Sequence, residues 1–113
     1  MSVSFITTHI LDTTTGKPAS GVPVALLAKN STGWETIGES VTDADGRVKD
    51  LGPEALETGT YRLEFQTASY FKALGTETFF PEVVLTFSAS ADEAHYHVPL
   101  LLSPFSFSSY RGS

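Results

Sequence analysis

Apolar and polar residues alternate with a period of two along most of this chain, in short runs separated by clusters of turn-forming residues. That rhythm predicts β-strands, and short strands with turn signals between them predict an all-β sandwich or barrel. The first run covers residues 3–11 and ends in Asp12-Thr13-Thr14-Thr15-Gly16-Lys17-Pro18, a stretch dense in residues that favour turns. A second covers 22–28, with Pro23 placed early, where its missing N–H does least harm to a ladder. Asn30-Ser31-Thr32-Gly33 then turns the chain into a third strand, in which Trp34, Thr36, Gly38 and Ser40 alternate with Glu35, Ile37, Glu39 and Val41.

Asp43-Ala44-Asp45-Gly46 closes that strand. It looks like the start of a calcium loop, but the acidic ligands needed further along are absent, so a tight turn with Gly46 at positive φ is the better reading. Short strands follow at 47–49 and 61–66, the latter with Tyr61, Leu63 and Phe65 on one face; residues 53–56 between them allow at most a helical turn. Residues 67–74 predict a helix of about two turns. Thr67 is its expected cap, Tyr70, Phe71 and Leu74 recur at helical spacing, and Gly75 ends it. Strands resume at 82–88, 94–102 and 105–111, with Ser103-Pro104 linking the last two. The expectation is seven or eight strands and one short helix.

A length of 113 residues leaves too little apolar surface for two cores, so one domain spanning 1–113 is expected. A hydrophobic content of 41% with 18% charged residues is well away from the composition of disordered chains. The net charge of −6 and the lack of a lysine or arginine cluster argue against nucleic acid as a partner. With no cysteine there is no disulfide, thiolate metal site or cysteine nucleophile. No run approaches the ~18 apolar residues of a membrane span, and Met-Ser-Val-Ser-Phe does not begin a signal peptide. As written, the expected location is the cytoplasm; a signal peptide already removed would leave no trace.

The three histidines carry the first chemical hint. His95 and His97 lie two apart on one predicted strand and so point to one side, while Tyr96, Val98, Leu100 and Leu102 form the apolar face. If that face packs inside, the histidines lie on the outer surface, either simply solvated or available to a ligand or another subunit. With His9 they would also make a three-histidine zinc set, although nothing in the spacing brings His9 beside them. Arg47, just after the turn, is either paired with Asp45 or free to fork onto a planar anionic substrate. Tyr110-Arg111-Gly112-Ser113 is either a frayed tail or an ordered end, and the strand pattern running up to Arg111 favours order.

Three segments together resemble the 5-hydroxyisourate hydrolases, enzymes related to the carrier transthyretin. The first is His9-Ile10-Leu11-Asp12 with Gly16-Lys17-Pro18-Ala19 and Val22-Pro23-Val24; the second is Thr42-Asp43-Ala44-Asp45-Gly46-Arg47. The third is HYHVPLLLSPFSFSSYRGS, residues 95–113, whose Tyr-Arg-Gly-Ser ending distinguishes the hydrolases from the carrier. Tyr70-Phe71-Lys72 and Phe80-Pro81-Glu82 fall in the right order between them. Phe107, where many relatives carry tyrosine, and Ser109, where threonine is common, depart from the pattern at positions without a catalytic role.

The resemblance implies a transthyretin-like sandwich of two four-stranded sheets with one short helix, assembled as a homotetramer, a dimer of dimers with active sites in the clefts where dimers meet. It implies 5-hydroxyisourate as substrate, and no cofactor or metal. The family's catalytic residues fall on His9, Arg47, His97 and Ser113, and its substrate contacts on His9, Arg47, Tyr110 and Arg111. Tyr110 would shorten the cleft that a smaller residue leaves deep in the carrier. A transthyretin-like protein that binds a small ligand without turnover is the alternative.

Overall fold

A computed structural model describes residues 3–112 as two β-sheets packed face to face with one short helix at their edge. The first sheet holds β1 (Ile6–Asp12), β2 (Lys17–Pro18), β5 (Arg47–Val48), β8 (Tyr96–Leu102) and β9 (Phe107–Ser109). The second runs β4 (Gly33–Val41), β3 (Pro23–Asn30), β6 (Gly59–Phe65) and β7 (Val83–Ala89), with the helix α1 (Thr67–Ala73) between β6 and β7. The count of five in the first sheet, against an expectation of four, has a simple cause. Lys17–Pro18 is not only turn: it pairs with Leu11–Asp12 along the same edge of β1 that β5 meets at Thr8–His9.

Alternation explains why the sheets stack. Ile6, Ile10, Val24, Leu26, Leu63, Phe65, Val83, Leu100 and Leu102 point between the sheets and are buried. Tyr61, Leu63 and Phe65 share the inner face of β6, as their spacing predicts. The alternation expected for β4 fails in one place: the register with β3 shifts between Leu26 and Leu27, leaving Ile37 as an extra residue. Next to it, Gly38 lies so close to the chain at Leu51 that a Cβ there would come within 2.6 Å of the Leu51 carbonyl oxygen.

Thr67 does not cap α1. Gln66 occupies the cap position without a side-chain bond, and the Thr67 hydroxyl instead donates to the Phe80 carbonyl at 2.7 Å, tying the helix to the segment that enters β7. Gly75 (φ 68°) ends the helix as expected, its N–H donating to the Lys72 carbonyl and that of Thr76 to Phe71. The link between β8 and β9 is a four-residue turn closed by Ser103 and Ser106. No helix among the described residues is long and apolar enough to cross a membrane.

Candidate active site

β1 and β8 lie side by side and parallel, and their register places Thr7 opposite His97 and His9 opposite Pro99. Strand alternation about the core residues fixes which side chains face outward, and Thr7, although buried, lies on that outer side beneath His95 and His97. Ile6, Thr8, Ile10 and Asp12 of β1 are buried, as are Tyr96, Val98, Leu100 and Leu102 of β8, so Thr7 and His9 share the outer face with His97. The buried carboxylate of Asp12 is fully engaged. It accepts from the Tyr70 hydroxyl at 2.8 Å and from the backbone N–H groups of Thr14 and Thr15, and burial beside it pushes the Tyr70 hydroxyl up to about 12.

Arg47 reaches the same face from the other edge of β1, paired with His9 in the antiparallel register of β5. The preceding turn sets its position. The Asp43 carboxylate accepts from the N–H groups of Asp45 (2.9 Å) and Arg47 (3.0 Å), and the bond from Arg47 is the main reason that its pKa falls below the usual value. Gly46 has φ 73°, and a Cβ there would stand 2.5 Å from the Ile10 carbonyl oxygen, so both conformation and space require glycine. The turn is therefore the tight one that the sequence favoured over a calcium loop. Val48, opposite Thr8, is buried and anchors the strand by roughly 1.5–3 kcal/mol, the usual worth of a buried aliphatic side chain. Arg47 itself is exposed and makes no ion pair with Asp45 among the described residues.

His97 is the most closely held of the histidines. Its Nδ1 lies 2.9 Å from the Thr7 hydroxyl, which also meets His95 Nε2 at 2.8 Å. His95 precedes β8 rather than lying within it and is exposed, yet its ring is nearly parallel to that of His97, with centroids 6.4 Å apart. Partial burial lowers the His97 pKa from its ordinary value; the charges of Arg47, His95 and His9 lower it further. Thr7, Arg47, Lys49, His95 and His97 line a shallow depression of ≈ 380 Å³ on this face. Among the described residues no group of three histidines or carboxylates is placed to hold a metal ion, so the three-histidine zinc set is not assembled within this chain.

The end of the chain divides. Gly112 bridges to His97, donating its N–H to the His97 carbonyl at 2.7 Å, so the tail is ordered up to that point and packed on the histidine. Arg111 faces the opposite way: its guanidinium lies 4.6 Å from the centre of the Tyr96 ring and 3.5 Å from the Glu93 carboxylate. Tyr110 and Arg111 line a second depression, against β7 and with Tyr96 and Val98. Within one chain, the structure brings together His9, Arg47 and His97 but not Tyr110 or Arg111. Ser113 lies outside the described residues.

Two residues of the site escaped the sequence reading. Thr7 and Lys49 each stand two positions from a residue it had singled out, His9 and Arg47, and the period of two places them on the same side. That signal was present for both.

Residues 6–112 match the HIUase/Transthyretin family. The chain belongs to that family. It is 49% identical to the 5-hydroxyisourate hydrolase of Salmonella typhimurium over 111 residues, 97% of this chain and 82% of that one. The solved 5-hydroxyisourate hydrolase of Klebsiella pneumoniae superposes with a TM-score of 0.85 at 38% identity, covering 97% of this chain and all of that one. Sea bream transthyretin in complex with thyroxine superposes at 0.90 with 34% identity, covering 96% and 94%. The HIUase/Transthyretin fold is thus shared by the enzyme and the carrier, and the side chains of the outer face must decide between them.

Proposed function

We propose that this protein hydrolyses 5-hydroxyisourate to 2-oxo-4-hydroxy-4-carboxy-5-ureidoimidazoline, opening a cyclic amide in urate degradation. The observation that carries the proposal is the grouping of His9, Arg47 and His97 on one outer face, two imidazoles beside a guanidinium that makes no ion pair among the described residues. His9 takes a proton from the attacking water, the general-base role that an imidazole nitrogen can fill. His97 orients the water or substrate through Nε2, since Nδ1 is held by Thr7. Arg47 grips the carbonyl edge of the ring and offsets the charge of the tetrahedral intermediate. Ser113 adds a hydroxyl at the end of the tail, and no cofactor is needed.

The working form is a homotetramer of single-domain chains, a dimer of dimers, in the cytoplasm. Two features support association: β7 and β9 are unpaired sheet edges, and Phe79, Phe105 and Tyr110 are large apolar side chains left exposed. Assembly would let Tyr110 and Arg111 of one chain complete a cleft against another.

The test is hydrolysis of freshly prepared 5-hydroxyisourate, followed by its ultraviolet absorbance with and without a chelator. Turnover unaffected by the chelator is expected. No acceleration would leave a binding protein of the transthyretin type, whose fold this chain equally shares.

A further inference from the structure

A single hydroxyl between two imidazole nitrogens cannot treat both alike. Thr7 Oγ1 carries one proton, so it donates to one of His95 Nε2 and His97 Nδ1 and accepts from the other. The tautomers of the two rings are therefore linked. When His95 Nε2 carries a proton, Thr7 accepts from it and donates to His97 Nδ1, and His97 then carries its own proton on Nε2. Gly112 lies so near the Cδ2 edge of the His97 ring that a Cβ there would come within 2.9 Å of it, and Thr7 takes Nδ1. Nε2 has no protein partner among the described residues.

We propose that Thr7 and His95 are positioning residues that form a proton relay to His97, supplying from solvent the proton that His97 gives to the leaving nitrogen of the substrate. This deepens the hydrolase reading and rests on it. A water oxygen bonds to the amide carbon while His9 removes its proton, and the C–N bond then breaks with its electron pair on nitrogen. His97 Nε2–H protonates that nitrogen as the Thr7 hydroxyl proton moves to His97 Nδ1. His95 Nε2–H reprotonates Thr7, and solvent protonates exposed His95 at Nδ1. The proton on His9 returns to solvent. The reverse shift of the chain restores the starting tautomers.

The arrangement answers a difficulty in the site. Partial burial and the nearby guanidinium of Arg47 disfavour an imidazolium at His97, and a neutral imidazole that simply lost Nε2–H would become an anion. Gaining a proton at Nδ1 as one leaves Nε2 keeps the ring neutral throughout. The charge is carried instead by His95, in water.

The test compares three variants of the full chain, each checked for folding by thermal unfolding. Thr7→Val keeps the shape and removes the relay; it is expected to lower kcat by about 10–100-fold, at or below the ~10²–10⁴ that a direct general acid–base group contributes, with little change in KM. Thr7→Ser restores most of that loss. His95→Gln is the sharpest, because an amide can still hydrogen-bond to Thr7 but cannot pass a proton. A comparable drop in kcat is expected, with the His97 ring-nitrogen resonances still showing a proton on Nε2. Wild-type kcat in both Thr7→Val and His95→Gln overturns the relay. Wild-type turnover in His97→Ala would instead remove His97 from the active site, a failure of the underlying reading.

Discussion

The two sides of β8 hold their polar residues in contrasting ways. On the outer side, His97 is fixed at two points, Thr7 on its ring and the Gly112 N–H on its carbonyl, and the approach of Gly112 is close enough that a Cβ there would stand 2.9 Å from the ring. On the inner side, where Arg111 stands only one residue before Gly112, nothing comparable exists. Arg111 rests on the Tyr96 ring and on a carboxylate at 3.5 Å, with both charged side chains more than half exposed. A group held at several points has its geometry set before any ligand arrives, whereas a group held by one long, solvated ion pair does not. The histidine side has its geometry prepared within one chain, and the arginine side has still to be given its geometry.

The largest effects should fall on the prepared side. His9→Ala, Arg47→Ala and His97→Ala are each expected to keep the fold, because all three side chains lie outside the core, and to lose about 10²–10⁴ in kcat/KM, the usual worth of an acid–base or oxyanion group. Steady-state kinetics beside circular dichroism would check this. Near-normal activity in any one removes that residue from the site.

Gly112→Ala probes the same side without touching a chemical group. The new Cβ would stand 2.9 Å from His97 Cδ2 and 3.1 Å from its carbonyl oxygen, so either the tail lifts or the ring turns away from Thr7. A loss of about 10-fold or more in kcat is expected, since small displacements of a positioned group are costly. Deleting Gly112 and Ser113 should do at least as much. An unchanged rate in both would return the end of the chain to the status of a frayed terminus.

A smaller effect concerns electrostatics. Arg47→Met removes a positive charge that disfavours protonation of His97, so the His97 pKa should rise. It should stay below the ordinary 6.5, because partial burial is the larger cause of the lowering and remains in place. Titration of the His97 ring protons by NMR would measure the shift, and any residual activity should lose its acid limb at higher pH than in the native protein. A pKa that does not move would mean that Arg47 and His97 do not sense one another across the face.

Much of the frame was legible in the sequence, and the reasons are local. A period of two identifies both a strand and its buried side, so the inner face of β8 could be read from Tyr96, Val98, Leu100 and Leu102. The same rule put His97 on the outside. Lys17–Pro18 carries no strand signal because a two-residue ladder has no period, and Thr67 has the sequence of a cap but not its role because a hydroxyl takes a tertiary partner when one is offered. Strand periodicity could not join His9 to His97. Their neighbourhood depends on β1 lying parallel to β8, a pairing across most of the chain's length that no local pattern encodes. Only the resemblance of whole segments to a known family suggested it.

The smallest expected effect belongs to Arg111 and separates two accounts of the less ordered side. An exposed ion pair of this kind contributes no more than about 1 kcal/mol, so Arg111→Ala should leave thermal stability almost unchanged. If the side chain serves only Glu93 and Tyr96 of its own chain, the kinetics should not move either. If it supplies positive potential to a cleft between subunits, KM for the anionic substrate should rise several-fold with kcat retained, and the rise should shrink as salt screens the charge. Kinetics at two ionic strengths, with the oligomeric state followed by light scattering, would distinguish these outcomes. A salt-sensitive KM in an intact oligomer would assign Arg111 to substrate capture, while salt-independent, native kinetics would leave it a surface residue and confine the active site to the histidine side of β8.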